Sequence, residues 1–128
     1  MRPIRRAPAV ITALALGAAT ISCNTKSNPV ASATTADILI SIRANSSQLG
    51  PKGYSPSPDT VAVGTRVAWR NHDSVVHTST QRAGSFTWDT GNISPGSRSI
   101  VVTMTTAGSY TYSCSVMMHK MTGILVVR

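Results

Sequence analysis

Apolar and polar residues alternate with a period of two over several short stretches of this chain. Ile38, Ile40 and Ile42 alternate with Leu39, Ser41 and Arg43, which predicts a half-buried strand beginning just after Asp37. Val61 and Val63 precede a Gly64-Thr65 turn. Val67, Trp69 and Asn71 then point to one side, with Arg66, Ala68 and Arg70 on the other. Residues 75–80 and 99–104 are rich in Val, Ile and Thr, and Pro95-Gly96 marks a turn before the second of them. Tyr110 and Tyr112 share a face after the turn signal Ala107-Gly108, and Ile124 to Val127 forms a last strand. Residues 44–57 hold Asn, Ser, Gly and Pro and predict a loop. No helical periodicity runs over ten or more residues. Short strands with regular turn punctuation predict an all-β fold, an antiparallel β-sandwich or barrel.

The first 35 residues have a different character. Arg2, Arg5 and Arg6 precede an uncharged apolar run from Ala9 to Ile21. The run is shorter than a membrane-spanning helix requires, so residues 1–22 are expected to be an export signal. Thr20-Ile21-Ser22-Cys23 resembles a lipoprotein cleavage box, which makes Cys23 the candidate lipid-bearing residue. Residues 23–35 are small and polar and are expected to form a flexible tether. A single domain over residues 36–128 follows, preceded by a lipid anchor on the periplasmic or cell-surface side of a membrane.

Composition changes this picture in two ways. The full 128-residue chain has a formal charge of +8, but removal of residues 1–22 takes three arginines with it and leaves +5. The remaining cations are scattered and form no basic run, so nucleic acid is not an expected partner; a mild preference for acidic proteins is. Secondly, the chain has two cysteines. With Cys23 lipidated, Cys114 stands alone in an oxidising compartment, where a metal bond would commit its thiolate.

Cys114 opens the segment Cys114-Ser115-Val116-Met117-Met118-His119-Lys120-Met121, and His77 lies upstream. One thiolate, two imidazoles and a thioether form the ligand set of a blue-copper electron-transfer site. Thiolate and thioether suit Cu(I), and imidazole suits both oxidation states, so one copper ion cycling between Cu(I) and Cu(II) is the expected cofactor. No phosphate-cradling glycine loop occurs, and no oxyanion loop or orienting carboxylate accompanies Cys114 and His119 to suggest a hydrolase.

The order of these pieces resembles the cupredoxin superfamily, the plastocyanin, azurin and amicyanin group. The resemblance covers Pro58 to Val127. It rests on Val61-Ala62-Val63-Gly64-Thr65, on Val67-Ala68-Trp69-Arg70-Asn71-His72-Asp73 with His77, on Gly84-Ser85-Phe86 and on Ser94-Pro95-Gly96. Ala107-Gly108-Ser109-Tyr110-Thr111-Tyr112-Ser113-Cys114 then leads to His119, Met121 and Gly123. The resemblance implies a Greek-key antiparallel β-sandwich. It implies His77, Cys114 and His119 as copper ligands and Met121 as the weak axial thioether. Asn71 is implied to tie the upstream ligand segment to the cysteine loop. Trp69, Trp88 and Phe86 are expected in the core, and His72 competes with His77.

The loop here is C-x4-H-x-M, with a shorter His-to-Met gap than the family commonly has. Met117, Met118 or no residue are therefore alternatives to Met121 in the axial position. The resemblance implies a monomeric electron carrier, not an enzyme, exchanging single electrons with a cytochrome or a copper or haem enzyme. A copper-delivery protein using Met117, Met118, Met121 and His119 is the alternative. A copper enzyme with an open axial position is a third.

Overall fold

The computed structural model describes residues 35–128. The expected signal, Cys23 and the tether up to residue 34 lie outside the described residues. Eight strands are present: β1 (Ile38–Ile42), β2 (Tyr54–Ser55), β3 (Asp59–Val61), β4 (Arg66–Asn71), β5 (Thr80–Ala83), β6 (Val102–Thr103), β7 (Gly108–Ser113) and β8 (Thr122–Val127). Two short 3-10 turns, Ser46–Gln48 and Gly50–Lys52, lie between β1 and β2. No α-helix occurs among the described residues.

The strands form two four-stranded sheets, ordered β2-β1-β4-β6 and β3-β8-β7-β5. The all-β sandwich expected from the alternation is present, but its sheets are mixed where antiparallel ones were expected. β1 runs parallel to β4, and β3 parallel to β8. Parallel neighbours need a crossover. The chain between β1 and β4 supplies one, since it visits the second sheet as β3 before returning.

Alternation decides which side chains enter the core. Ile40 and Ile42 of β1 and Val67 and Trp69 of β4 are buried from one sheet; Tyr110 and Tyr112 of β7 and Leu125 and Val127 of β8 are buried from the other. Trp69 crosses between the layers and meets Tyr112 edge-on, with ring centroids 5.6 Å apart, while stacking on Trp88 at 5.8 Å. Such pairs add to the area they bury. Trp69 and Trp88 are buried and Phe86 packs half-buried against this cluster, as the core role requires.

Residues 75–79, expected in a strand, form only an isolated bridge between His77 and Ile93. Side chains take the backbone groups that a ladder would use. Asn71 Nδ2 donates to Val75 O, Tyr54 Oη donates to Thr78 O, and Ser79 N donates to Thr90 Oγ1. The ends of β1, β4 and β7 and the starts of β5 and β8 lie together, so the segments around residues 46, 71–79 and 114–121 converge at one end of the sandwich.

Candidate metal centre

Three elements supply this end. Cys114 follows β7 directly, and its N–H donates to Met121 O across the mouth of the β7–β8 hairpin at 3.2 Å. The intervening loop turns at Met118, with φ of 70°, and the turn is closed by His119 N–H to Val116 O at 3.1 Å. This brings His119 back beside Cys114. His77 enters from the segment after β4, fully buried.

His77 Nδ1 lies 3.7 Å from Cys114 Sγ, His119 Nδ1 lies 3.5 Å from Sγ, and the two Nδ1 atoms are 3.1 Å apart. A point equidistant from these three atoms is about 2.0 Å from each, close to metal–imidazole and metal–thiolate bond lengths. His77, Cys114 and His119 are the cluster of three potential metal-ligating side chains found among the described residues. Softness and size of this donor set fit copper.

The surroundings prepare the donors. His77 Nε2 lies 2.9 Å from Asp73 Oδ2, so the carboxylate holds the ring proton on Nε2 and leaves the Nδ1 lone pair facing the site. Asp73 is itself buried. Its Oδ2 also accepts from Ser46 N at 2.9 Å and Ser46 Oγ at 3.2 Å, and its Oδ1 accepts from Ser74 N at 2.8 Å. Burial pushes the Asp73 carboxyl up, but the hydrogen bond from His77 and those from the backbone N–H groups of Asn45, Ser74 and Ser46 outweigh it and hold the group well below the usual carboxylate range. His119 is half-buried, and burial together with the nearby His77 ring lowers its pKa from the ordinary imidazole value, against the opposing pull of Asp73. Thr78 N–H donates to Cys114 Sγ at 3.4 Å.

Met121, the sequence-based axial candidate, is fully buried and packs against Gly53. Its rivals face outward: Met117 is 85% exposed and Met118 82%. His72 is exposed and stands outside the donor cluster. Asn71 differs from expectation. Its side chain bonds Val75 O, Ile93 O and Asp73 N, which braces the 71–77 segment against residue 93. The tie to the cysteine loop comes from Thr78, whose Oγ1 accepts Ser115 N–H at 2.7 Å, because Thr78 is the residue that passes alongside that loop. Sequence reasoning missed Asp73, Ser46 and Thr78. The four-residue spacing of Asp73 and His77 was a usable signal for the first.

The fold and the donor set are those of the cupredoxins: a two-sheet β-sandwich with a His-Cys-His group at one end that could hold one copper ion. No protein-family model matches the chain, and no curated protein sequence matches it. Solved structures do. A purple cupredoxin from Nitrosopumilus maritimus is 28% identical, with a TM-score of 0.63 over 72% of this chain and 100% of that one. A mutant of amicyanin in its reduced Cu(I) form is 26% identical, with a TM-score of 0.59 over 75% of this chain and 88% of that one. A copper-containing nitrite reductase from Thermus scotoductus is 22% identical, with a TM-score of 0.57 over 71% of this chain but only 22% of that one, and shares the fold alone.

Proposed function

We propose that this protein is a blue-copper electron carrier that works outside the cytoplasm, with His77, Cys114 and His119 as the strong copper ligands and Met121 as the axial one. The convergence of two Nδ1 atoms and one Sγ on a point about 2.0 Å from each carries the reading. Of the three loop methionines, Met121 alone is buried, which favours it for the axial place. Bound copper supplies a one-electron couple between Cu(I) and Cu(II).

The chain's part is to hold the donors still. His77 is clamped by Asp73, Cys114 by Thr78 N–H, and the loop by Cys114 N–H to Met121 O. A donor set fixed in this way changes little between oxidation states, which lowers the barrier to electron exchange. Exposed Met117 and Met118, together with half-exposed Val75, give an apolar rim for brief contact with a cytochrome or a copper or haem enzyme. Export by residues 1–22 and lipidation at Cys23 would place the protein on the periplasmic or cell-surface side of a membrane. Carriage without catalysis follows from four protein ligands, which leave no open position for a substrate.

The test is the visible spectrum of the Cu(II)-loaded protein beside Cys114→Ser. An intense band near about 600 nm that the substitution abolishes supports a thiolate–copper(II) site. A colourless wild type that binds Cu(I) through its methionines would replace carriage with copper handling.

A further inference from the structure

Arg82 has no place in the donor set, yet a continuous line of hydrogen bonds joins it to Cys114. Arg82 is the extra residue of a β-bulge: Gln81 pairs with Tyr112 and Ala83 with Thr111, so Arg82 has no partner on β7. Bulges re-aim side chains. The guanidinium forks onto two hydroxyls of the cysteine strand, with Nε to Ser113 Oγ at 2.7 Å and Nη2 to Ser115 Oγ at 2.9 Å. Ser115 Oγ lies 2.7 Å from Thr80 Oγ1, Thr80 Oγ1 lies 3.1 Å from Thr78 Oγ1, and Thr78 Oγ1 lies 4.0 Å from Cys114 Sγ.

Donor geometry gives this chain one direction. A guanidinium only donates, and each hydroxyl has one hydrogen to give. Ser115 Oγ accepts from Arg82 and donates to Thr80 Oγ1, and Thr78 Oγ1 donates to Cys114 Sγ. Thr78 has no second hydrogen, so the one shared with Thr80 comes from Thr80, while the other lone pair of Thr78 accepts Ser115 N–H. The hydrogen left on Thr78 faces Sγ. Every hydroxyl accepts from the arginine side and donates towards the sulfur, and polarisation along such a chain is cooperative.

We propose that Arg82 is a positioning residue that sets the electron affinity of the metal centre by acting on Cys114 Sγ through Ser115, Thr80 and Thr78; this rests on the copper-carrier reading. A positive charge and a donated hydrogen both favour the electron-rich state of a thiolate-bound metal. The polarised chain therefore raises the reduction potential, as hydrogen bonding around the cysteine sulfur does in such sites. It also links the potential to the surface. An acidic group of a docked partner that draws the exposed guanidinium off Ser115 would ease electron release.

The test compares wild type, Arg82→Gln, Thr80→Val, the double variant and Arg82→Lys, all copper-loaded, by redox titration with the visible spectrum recorded. Thr80→Val keeps the charge and cuts the chain. Thr80→Val is expected to shift the reduced-to-oxidised ratio about threefold towards the oxidised form, or about 28 mV at 59 mV per tenfold for one electron, and Arg82→Gln, which also removes the charge, by at least as much. The double variant shifts no further than Arg82→Gln alone, because both changes break one chain, and Arg82→Lys lies between Arg82→Gln and wild type. Thr80→Val matching wild type, or shifts that multiply in the double variant, would overturn the proposal. The metal-free protein supplies a separate readout by NMR. Arg82→Gln is expected to move the Ser115 and Thr78 amide resonances, and unmoved resonances refute a continuous chain. Failure of wild type to bind copper would sink the carrier reading while the NMR result still decides whether the chain exists.

Discussion

Replacing Asp73 by asparagine removes a charge and almost no volume, so it isolates what the buried carboxylate does. Both oxygens of Asp73 act as acceptors: Oδ2 for Ser46 N, Ser46 Oγ and His77 Nε2, and Oδ1 for Ser74 N. An asparagine can keep only one of the two oxygens. In its better orientation the amide faces Ser74, so the part-buried Ser74 N–H loses its acceptor at a cost of about 1–2 kcal/mol. The bonds that remain at the other oxygen fall from charge-assisted to neutral strength, costing roughly another 1–2 kcal/mol together. The expected loss is about 3 kcal/mol, or a fall in Tm of roughly 12–24 °C for a domain of this size. Circular dichroism melts of the metal-free protein at neutral pH measure it. The sign of the pH dependence follows from the depressed pKa of Asp73. Its contribution is fully present above the unfolded carboxylate value of about 3.9 and is lost as pH falls through and below that value. The gap between wild type and variant therefore narrows on acidification. Asp37, lowered to about 2 by Arg66, titrates nearby but is common to both proteins and cancels. A Tm within about 4 °C of wild type at neutral pH would refute the reasoning.

Other expectations follow from single contacts. A Cβ at Gly123 would collide with the Tyr112 ring, which is buried and cannot retreat, so Gly123→Ala is expected to cost about 1–3 kcal/mol in urea unfolding. Tyr54→Phe leaves the buried Thr78 O without the 2.5 Å bond from the tyrosine hydroxyl; a loss of about 1–2 kcal/mol in the same assay is expected, and no loss would refute the bond. The lowered pKa of His119 keeps its imidazole neutral to more acid pH than usual, so its ring C–H resonances in NMR of the metal-free protein should titrate below the ordinary imidazole value of about 6.5. Titration at or above that value would contradict the direction of the shift.

The sequence determined whatever depends on neighbours along the chain. Strand burial has a period of two, so Ile40 with Ile42, Val67 with Trp69 and Tyr110 with Tyr112 were legible as core pairs, and all are buried. The cysteine, histidine and methionine of the loop were legible from their spacing, since eight residues between two strands bring them to one end of a hairpin. Tertiary structure alone decided what depends on distant partners. The parallel pairing of β1 with β4 rests on a crossover that no local pattern encodes. Residues 75–79 have strand composition, but Asn71, Tyr54 and Thr90 occupy their backbone groups. Packing sorted Met121 inward and left Met117 and Met118 exposed, though all three have the same side chain. The Asp73 clamp on Ser46 spans 27 residues, and the reach from Arg82 to Ser115 spans 33. Alternation tells each residue which way to face, whereas hydrogen-bond partners are chosen by the folded surface against which it is set.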